Sequence, residues 1–102
     1  MTEPEPNQEL DFLSDSTENT STRFVTFIGN SLKRFDLAVT TTNRFYGKKL
    51  IIDLQNGKTA ILGTDDLEEE GYLEHVFGLN EEESGELRTF LYQVVGEAYF
   101  TD

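Results

Sequence analysis

The sequence predicts an α+β domain: a four-stranded antiparallel meander followed by two helices packed on one face. Three observations carry that expectation. From Thr22 to Leu62 apolar residues recur at every second position, the period of a half-buried strand. After Gly63 the period becomes that of a helix. Between two of the apolar runs sits Asn56-Gly57, a dipeptide suited to tight hairpins.

The first β-rich run is Arg23–Gly29. In Arg34–Thr41, Phe35, Leu37 and Val39 alternate with Arg34, Asp36 and Ala38. Lys49–Leu54 sets Leu50, Ile52 and Leu54 against Lys49, Ile51 and Asp53. Thr59–Leu62 is a fourth short run. Gln55–Lys58 reads as a type I′ turn, because Asn-Gly supplies the two positive φ angles it needs. The links 29–33 and 42–47 are short, which implies that successive strands pair antiparallel.

Beyond Gly63, Thr64 or Asp65 is placed to cap a helix, and Asp66, Glu68 and Glu69 suit the positive end of its dipole. Leu67, Tyr72, Leu73, Val76 and Phe77 give it an apolar side, with Gly71 making it irregular or split. The last helix starts at Asn80, with Glu83 three residues on as in a capping box. Leu87, Phe90, Leu91, Val94, Val95 and Ala98 form one apolar stripe. Phe35, Leu37, Val39, Leu50, Ile52 and Leu54 are expected to meet these helices. The other sheet face then carries Phe24 or Ile28, Ala38, Ile51 and several charges. Such a half-apolar face either receives a partner or is covered by the N-terminal segment or a sheet edge.

The 102 residues suffice for one domain, and the hydrophobic share of 36% is low enough that part of the chain is expected to stay unpacked. Residues 1–21, rich in Glu, Pro, Asn, Ser and Thr, are expected to form a disordered acidic tail, and residues 22–102 a single domain. Without cysteine there is neither a disulfide framework nor a thiolate site. The acidic, Pro-containing start does not resemble a secretory signal, and no apolar run is long enough to cross a bilayer, so a cytoplasmic location without membrane partners is expected.

Net charge is −12, and it is segregated. Residues 1–21 hold six acids and no base; residues 22–63 hold seven bases and two acids; residues 64–102 hold twelve acids and the single base Arg88. As a whole this charge repels nucleic acid and anionic membranes.

No constellation for catalysis or metal binding emerges, and no cofactor is expected. Gly57-Lys58-Thr59 has Ile52 where a phosphate-binding loop needs Gly, and it opens a strand instead of a helix. Gly47-Lys48-Lys49 has Thr42 at that position. His75 is the sole histidine and lacks partners at helical spacing. Asp65, Asp66, Glu68, Glu69 and Glu70 lack the alternating ligands of a calcium loop and read as a solvated helix start. Ser14, Ser16, Ser31 and Ser84 have no His–Asp pair to activate them. The island Leu10, Phe12, Leu13 loosely resembles short docking motifs, although an idle tail fits its composition better.

The most distinctive local chemistry is the basic-aromatic segment Arg44, Phe45, Tyr46, Lys48 and Lys49, with Arg23 and Arg34 expected near it on the sheet. Rings on a sheet stack bases while cations hold phosphates, so RNA or single-stranded DNA is one reading. The net charge favours instead a protein partner or a second copy of the chain. Competing readings are that these bases pair with the acidic helices, or that Phe45 and Tyr46 are core.

The blocks Arg23-Phe24-Val25, Arg34-Phe35-Asp36-Leu37-Ala38, Arg44-Phe45-Tyr46-Gly47-Lys48-Lys49-Leu50, Gly63 to Glu74, Glu81-Glu82-Glu83 and Leu87 to Tyr92 occur in an order that resembles a family of small proteins. That family comes from Bacillus, Staphylococcus and related Gram-positive bacteria and is a domain of unknown function. The resemblance covers residues 22–95 and leaves the acidic tail and residues 96–102 outside. It implies a cytoplasmic bacterial protein without enzymatic activity and assigns no catalytic residue. The expected role is a small interaction or adaptor module.

Overall fold

Alternating apolar residues build β1 (Ser21–Ile28), β2 (Arg34–Thr41), β3 (Lys49–Asp53) and β4 (Thr59–Leu62), and the helical half forms α1 (Thr64–Glu68), α2 (Tyr72–Phe77) and α3 (Glu81–Glu97). These elements come from a computed structural model that describes residues 9–97. The sheet is the expected antiparallel meander, in the order β1-β2-β3-β4. Residues 9–20 form neither helix nor strand and are exposed. The rest of the expected tail, residues 1–8, lies outside the described residues, as does Ala98.

The helix-facing side of β3 is the opposite of the expected one. Val39 is paired with Ile51 and Leu37 with Asp53, and directly opposed residues share a face. Lys49, Ile51 and Asp53 are therefore buried under the helices, while Leu50 and Ile52 face the other way and Leu54 is exposed. Leu50-Ile51-Ile52 offers an apolar residue in either phase, so alternation alone could not choose. The inward polar ends are accommodated locally: Lys49 Nζ donates to Thr41 Oγ1 at 2.7 Å, and the Asp53 carboxylate accepts the Gln55 N–H at 3.0 Å.

The β3–β4 turn is not type I′. Asp53 pairs with Lys58, so the loop holds four residues, not two. Gly57 donates its N–H to the Asp53 carbonyl at 2.7 Å. Within the turn only Gly57 takes a positive φ, at 78°, and Asn56 instead accepts the Lys58 N–H at its side chain.

Gly71, at φ 78°, divides the first helical region into α1 and α2, giving three α-helices among the described residues where two were expected. The cap of α1 is Gly63, not Thr64 or Asp65; the Asp66 carboxylate reaches back to its N–H at 2.8 Å. At α3 the capping box is complete, with Asn80 N–H donating to Glu83 and Glu83 N–H to Asn80. Leu87, Leu91, Val94 and Val95 pack with Leu67, Leu73 and Phe77 onto Phe35, Leu37, Val39, Ile51 and Leu62. Each fully buried side chain of this kind contributes about 1.5–3 kcal/mol of transfer free energy. Phe90, at the edge of this layer, meets Phe27 with ring centroids 5.0 Å apart.

Candidate functional site

Among the described residues all three α-helices lie on one side of the sheet, and no helix covers the opposite side. That side carries Phe24 and Ile28 from β1, half-buried Leu50 and Ile52 from β3 and Ile61 from β4, with Ala38 of β2 buried among its neighbours. Phe24 is 72% exposed and Ile28 61%. Ile51, expected here, is fully buried on the other side. Thr22 and Thr40 are hydrogen-bonded across this face at 2.8 Å, and Thr26 donates to Asp36. Its fixed charges, Arg34 and Asp36, form an ion pair 3.2 Å apart. The surface is apolar, threonine-rich and close to neutral.

The loop between β2 and β3 borders this face. Thr42 accepts the Arg44 N–H and caps the short 3-10 turn Asn43–Phe45. Tyr46 and Gly47 then take left-handed backbone, with φ 55° and 89°, and Lys48 N–H closes the turn onto the Phe45 carbonyl at 3.0 Å. A bulky residue in that conformation is uncommon and carries strain, the kind of feature that clusters at functional sites. It holds the Tyr46 ring 96% exposed. Beside it lies a concavity of about 410 Å³ lined by Thr41, Thr42, Asn43, Tyr46, Gly47, Lys48 and Lys49.

The seven sequence-predicted residues do not form one cluster. Arg44, Phe45, Tyr46, Lys48 and Lys49 are together by chain adjacency, but they differ in availability. Lys48 pairs with Asp66 at 3.1 Å, as one competing reading anticipated, and Lys49 is buried against Thr41. Arg44 is exposed and donates to Ser16 Oγ at 3.1 Å, while Phe45 is half-buried. Arg34 begins β2, seven residues before its loop end, which puts it ~23 Å from the loop at the rise of an extended strand. Arg23 pairs in register with Val39 and so stands on the helix side, its guanidinium 5.8 Å from the Phe90 ring centre. The expectation that both arginines gather at the loop is thus corrected by register and strand length.

The outer residues Leu50 and Ile52 were placed on the helix side because β3 was read in the other phase, and Ile61 of β4 was assigned to neither face. The tail's role was also missed. Ser16 bonds Arg44, and Thr42 donates to Glu18, so residues 16–18 lie across the loop. Asp65, Glu68, Glu69, Glu70 and His75 do not converge; among the described residues no three His, Cys, Asp or Glu side chains gather at metal-binding distance. Among the same residues no helix is long and apolar enough to cross a membrane.

Comparison with curated proteins gives no match. A family model described as SAV0927-like matches residues 13–93. That span begins earlier than the resemblance in the sequence suggested and takes in Ser16 and Glu18, together with all four strands and most of α3. The chain belongs to the SAV0927-like family.

Proposed function

We propose that this chain is a cytoplasmic, non-enzymatic interaction module of a Gram-positive bacterium, and that its docking surface is the open sheet face with Arg44 and Tyr46 at its border. The observation that carries the reading is the exposure of Phe24, Ile28 and Ile61 on a sheet whose helices, among the described residues, all lie on its other side, with Tyr46 exposed on the adjoining loop. Large exposed apolar groups rimmed by polar ones mark contact surfaces, and aromatic residues dominate binding energy at such contacts. Arg44 adds specificity more than affinity, since an exposed ion pair contributes only about 0.2–1 kcal/mol.

RNA or single-stranded DNA at the same loop is the alternative. It is weakened by Lys48 and Lys49 having partners within the fold, which leaves Arg44, exposed and bonded only to the Ser16 hydroxyl, as the cation of the segment without an anionic or buried partner. A net charge of −12 opposes it further.

The test is capture from an extract of the native bacterium with the immobilised full chain. A protein retained by the wild type and lost from both Ile61→Lys and the Arg44→Ala, Tyr46→Ala double variant supports this surface, provided the variants keep the wild-type circular dichroism. Equal recovery by all three rules the surface out. Saturable oligonucleotide binding at about 50 mM salt, lost in the double variant, moves the assignment to nucleic acid.

A further inference from the structure

β1 is an edge strand. It pairs with β2 residue for residue over Ser21–Ile28, without a bulge, and among the described residues no strand lies along its other edge. Natural edges are blunted by lysine, proline, bulges or covering segments. β1 has no lysine or proline, and Arg23 is its only charged residue. Of the residues ahead of it, Ser16 and Glu18 are held at the β2–β3 loop, across the end of the sheet. What fits such an edge is another strand, and the identity of that strand is read from the side chains flanking it.

On the helix side, a hollow of about 380 Å³ opens beside the end of β1, lined by Phe27, Gly29, Asn30, Glu86, Phe90 and Gln93. Its chemistry is two aromatic rings and one carboxylate, which suits a guanidinium. Gly29 stands directly against the carboxylate, since a Cβ there would lie 2.4 Å from the Glu86 carboxyl carbon. Glu86 already accepts two hydrogen bonds from Ser31, and a carboxylate has lone pairs for more. Arg23 is exposed and, among the described residues, has no carboxylate partner. Arg23 lies on the helix side by its register with Val39, and Gly29, which follows the end of β1, lies on that side too, since a Cβ there would point at Glu86 of α3.

We propose that the chain forms a two-fold dimer by antiparallel pairing of β1 with β1 of a second copy, with Thr26 opposite Thr26. In that register Phe24 of each copy lies opposite Ile28 of the other on the open face, an aromatic–β-branched pair of the kind that stabilises sheets. Arg23 of each copy lies opposite Gly29 of the other and enters the hollow at Glu86, and the contact occurs twice. The acids of α1 and α2 lie toward β4, the far edge, whereas α3 brings the Glu86 carboxylate to the β1 side, where Arg23 of the other copy meets it. The open faces join into one eight-stranded surface. The dimer does not depend on the docking role of that surface: a monomer that still retains a partner through Tyr46 removes the dimer alone.

The experiment is sedimentation equilibrium of the full chain, with two cysteine variants for register. The chain has no cysteine, so each variant carries a single thiol. Opposed residues of an antiparallel pair have Cα atoms about 4.5–5.5 Å apart, within the span of a disulfide. The expected results are twice the chain mass at micromolar concentration, a dissociation constant raised about ten-fold or more in Arg23→Glu, a covalent dimer of Thr26→Cys on mild oxidation, and none of Thr59→Cys on β4. A wild-type monomer at high micromolar concentration overturns the proposal. So does a dimer that ignores Arg23→Glu, or one in which folded Thr26→Cys fails to crosslink. If Thr26→Cys does not fold, the wild-type mass and Arg23→Glu decide.

Discussion

The Glu86 carboxylate on α3 accepts two hydrogen bonds from Ser31 in the β1–β2 turn, from the main-chain N–H and from the hydroxyl, each 2.6 Å long. The pair joins residues 55 positions apart and ties the last helix to the first hairpin. Hydrogen bonds to a charged group contribute about 1.5–3 kcal/mol in all where partly buried. Glu86→Ala is expected to lower unfolding free energy by that amount and Ser31→Ala by about 1 kcal/mol. Urea unfolding at low protein concentration, with unchanged slope, checks both.

Gly29→Ala acts on the same contact. Its new Cβ would collide with the Glu86 carboxylate and displace it. In the Glu86→Ala background that obstacle is gone, so the two effects are expected to be clearly less than additive. A double-mutant cycle with a coupling of about 0.5 kcal/mol or more would confirm the collision, and strict additivity would refute it.

The phase of β3 has a direct stability test. Ile51 is fully buried between β2 and the helices, whereas Ile52 is half-buried on the uncovered face. Ile51→Ala is expected to cost about 2–5 kcal/mol, and Ile52→Ala well under half as much. A reversed order in thermal or urea unfolding would show that the strand faces the other way.

At Gly71 the backbone has φ 78°, and a Cβ there would meet nothing within 4 Å. The cost of Gly71→Ala is therefore purely conformational, about 1–2 kcal/mol, and no repacking of neighbours relieves it. A stabilised variant in thermal unfolding would mean that α1 and α2 can fuse into one helix.

Tyr46 sits at φ 55° with its ring in solvent. Tyr46→Gly removes the left-handed strain and loses no buried contact, so it is expected to be as stable as the wild type or up to ~1 kcal/mol more so. If the ring serves docking, the same variant loses partner capture. Stability and binding then move apart, which distinguishes a contact residue from a structural one.

Much of the fold was legible because its signals are local. The strand and helix periods, the break at Gly71 and the Asn80–Glu83 capping box each depend on residues a few positions apart, and each appears where the sequence put it. The Asn56-Gly57 turn was located correctly, but its type depends on whether Asp53 pairs with Lys58, a property of the two strands and not of the dipeptide. At the candidate site, the adjacency of Arg44, Phe45, Tyr46, Lys48 and Lys49 was plain from the sequence. Their availability was not: Lys48 meets Asp66 only after β4 has returned the chain past the loop.

By itself the sequence determined the class of fold, the order of elements and the segregation of charge, since these follow from short-range periodicity and composition. Tertiary structure alone decided which face of β3 is buried, because Leu50-Ile51-Ile52 satisfies either phase until register with Val39 and the placement of the helices select one. It also decided that Arg23 and Arg34 stand on opposite faces of the sheet, and that Glu86 reaches Ser31. These are contacts between distant residues, and no local pattern of side chains encodes them.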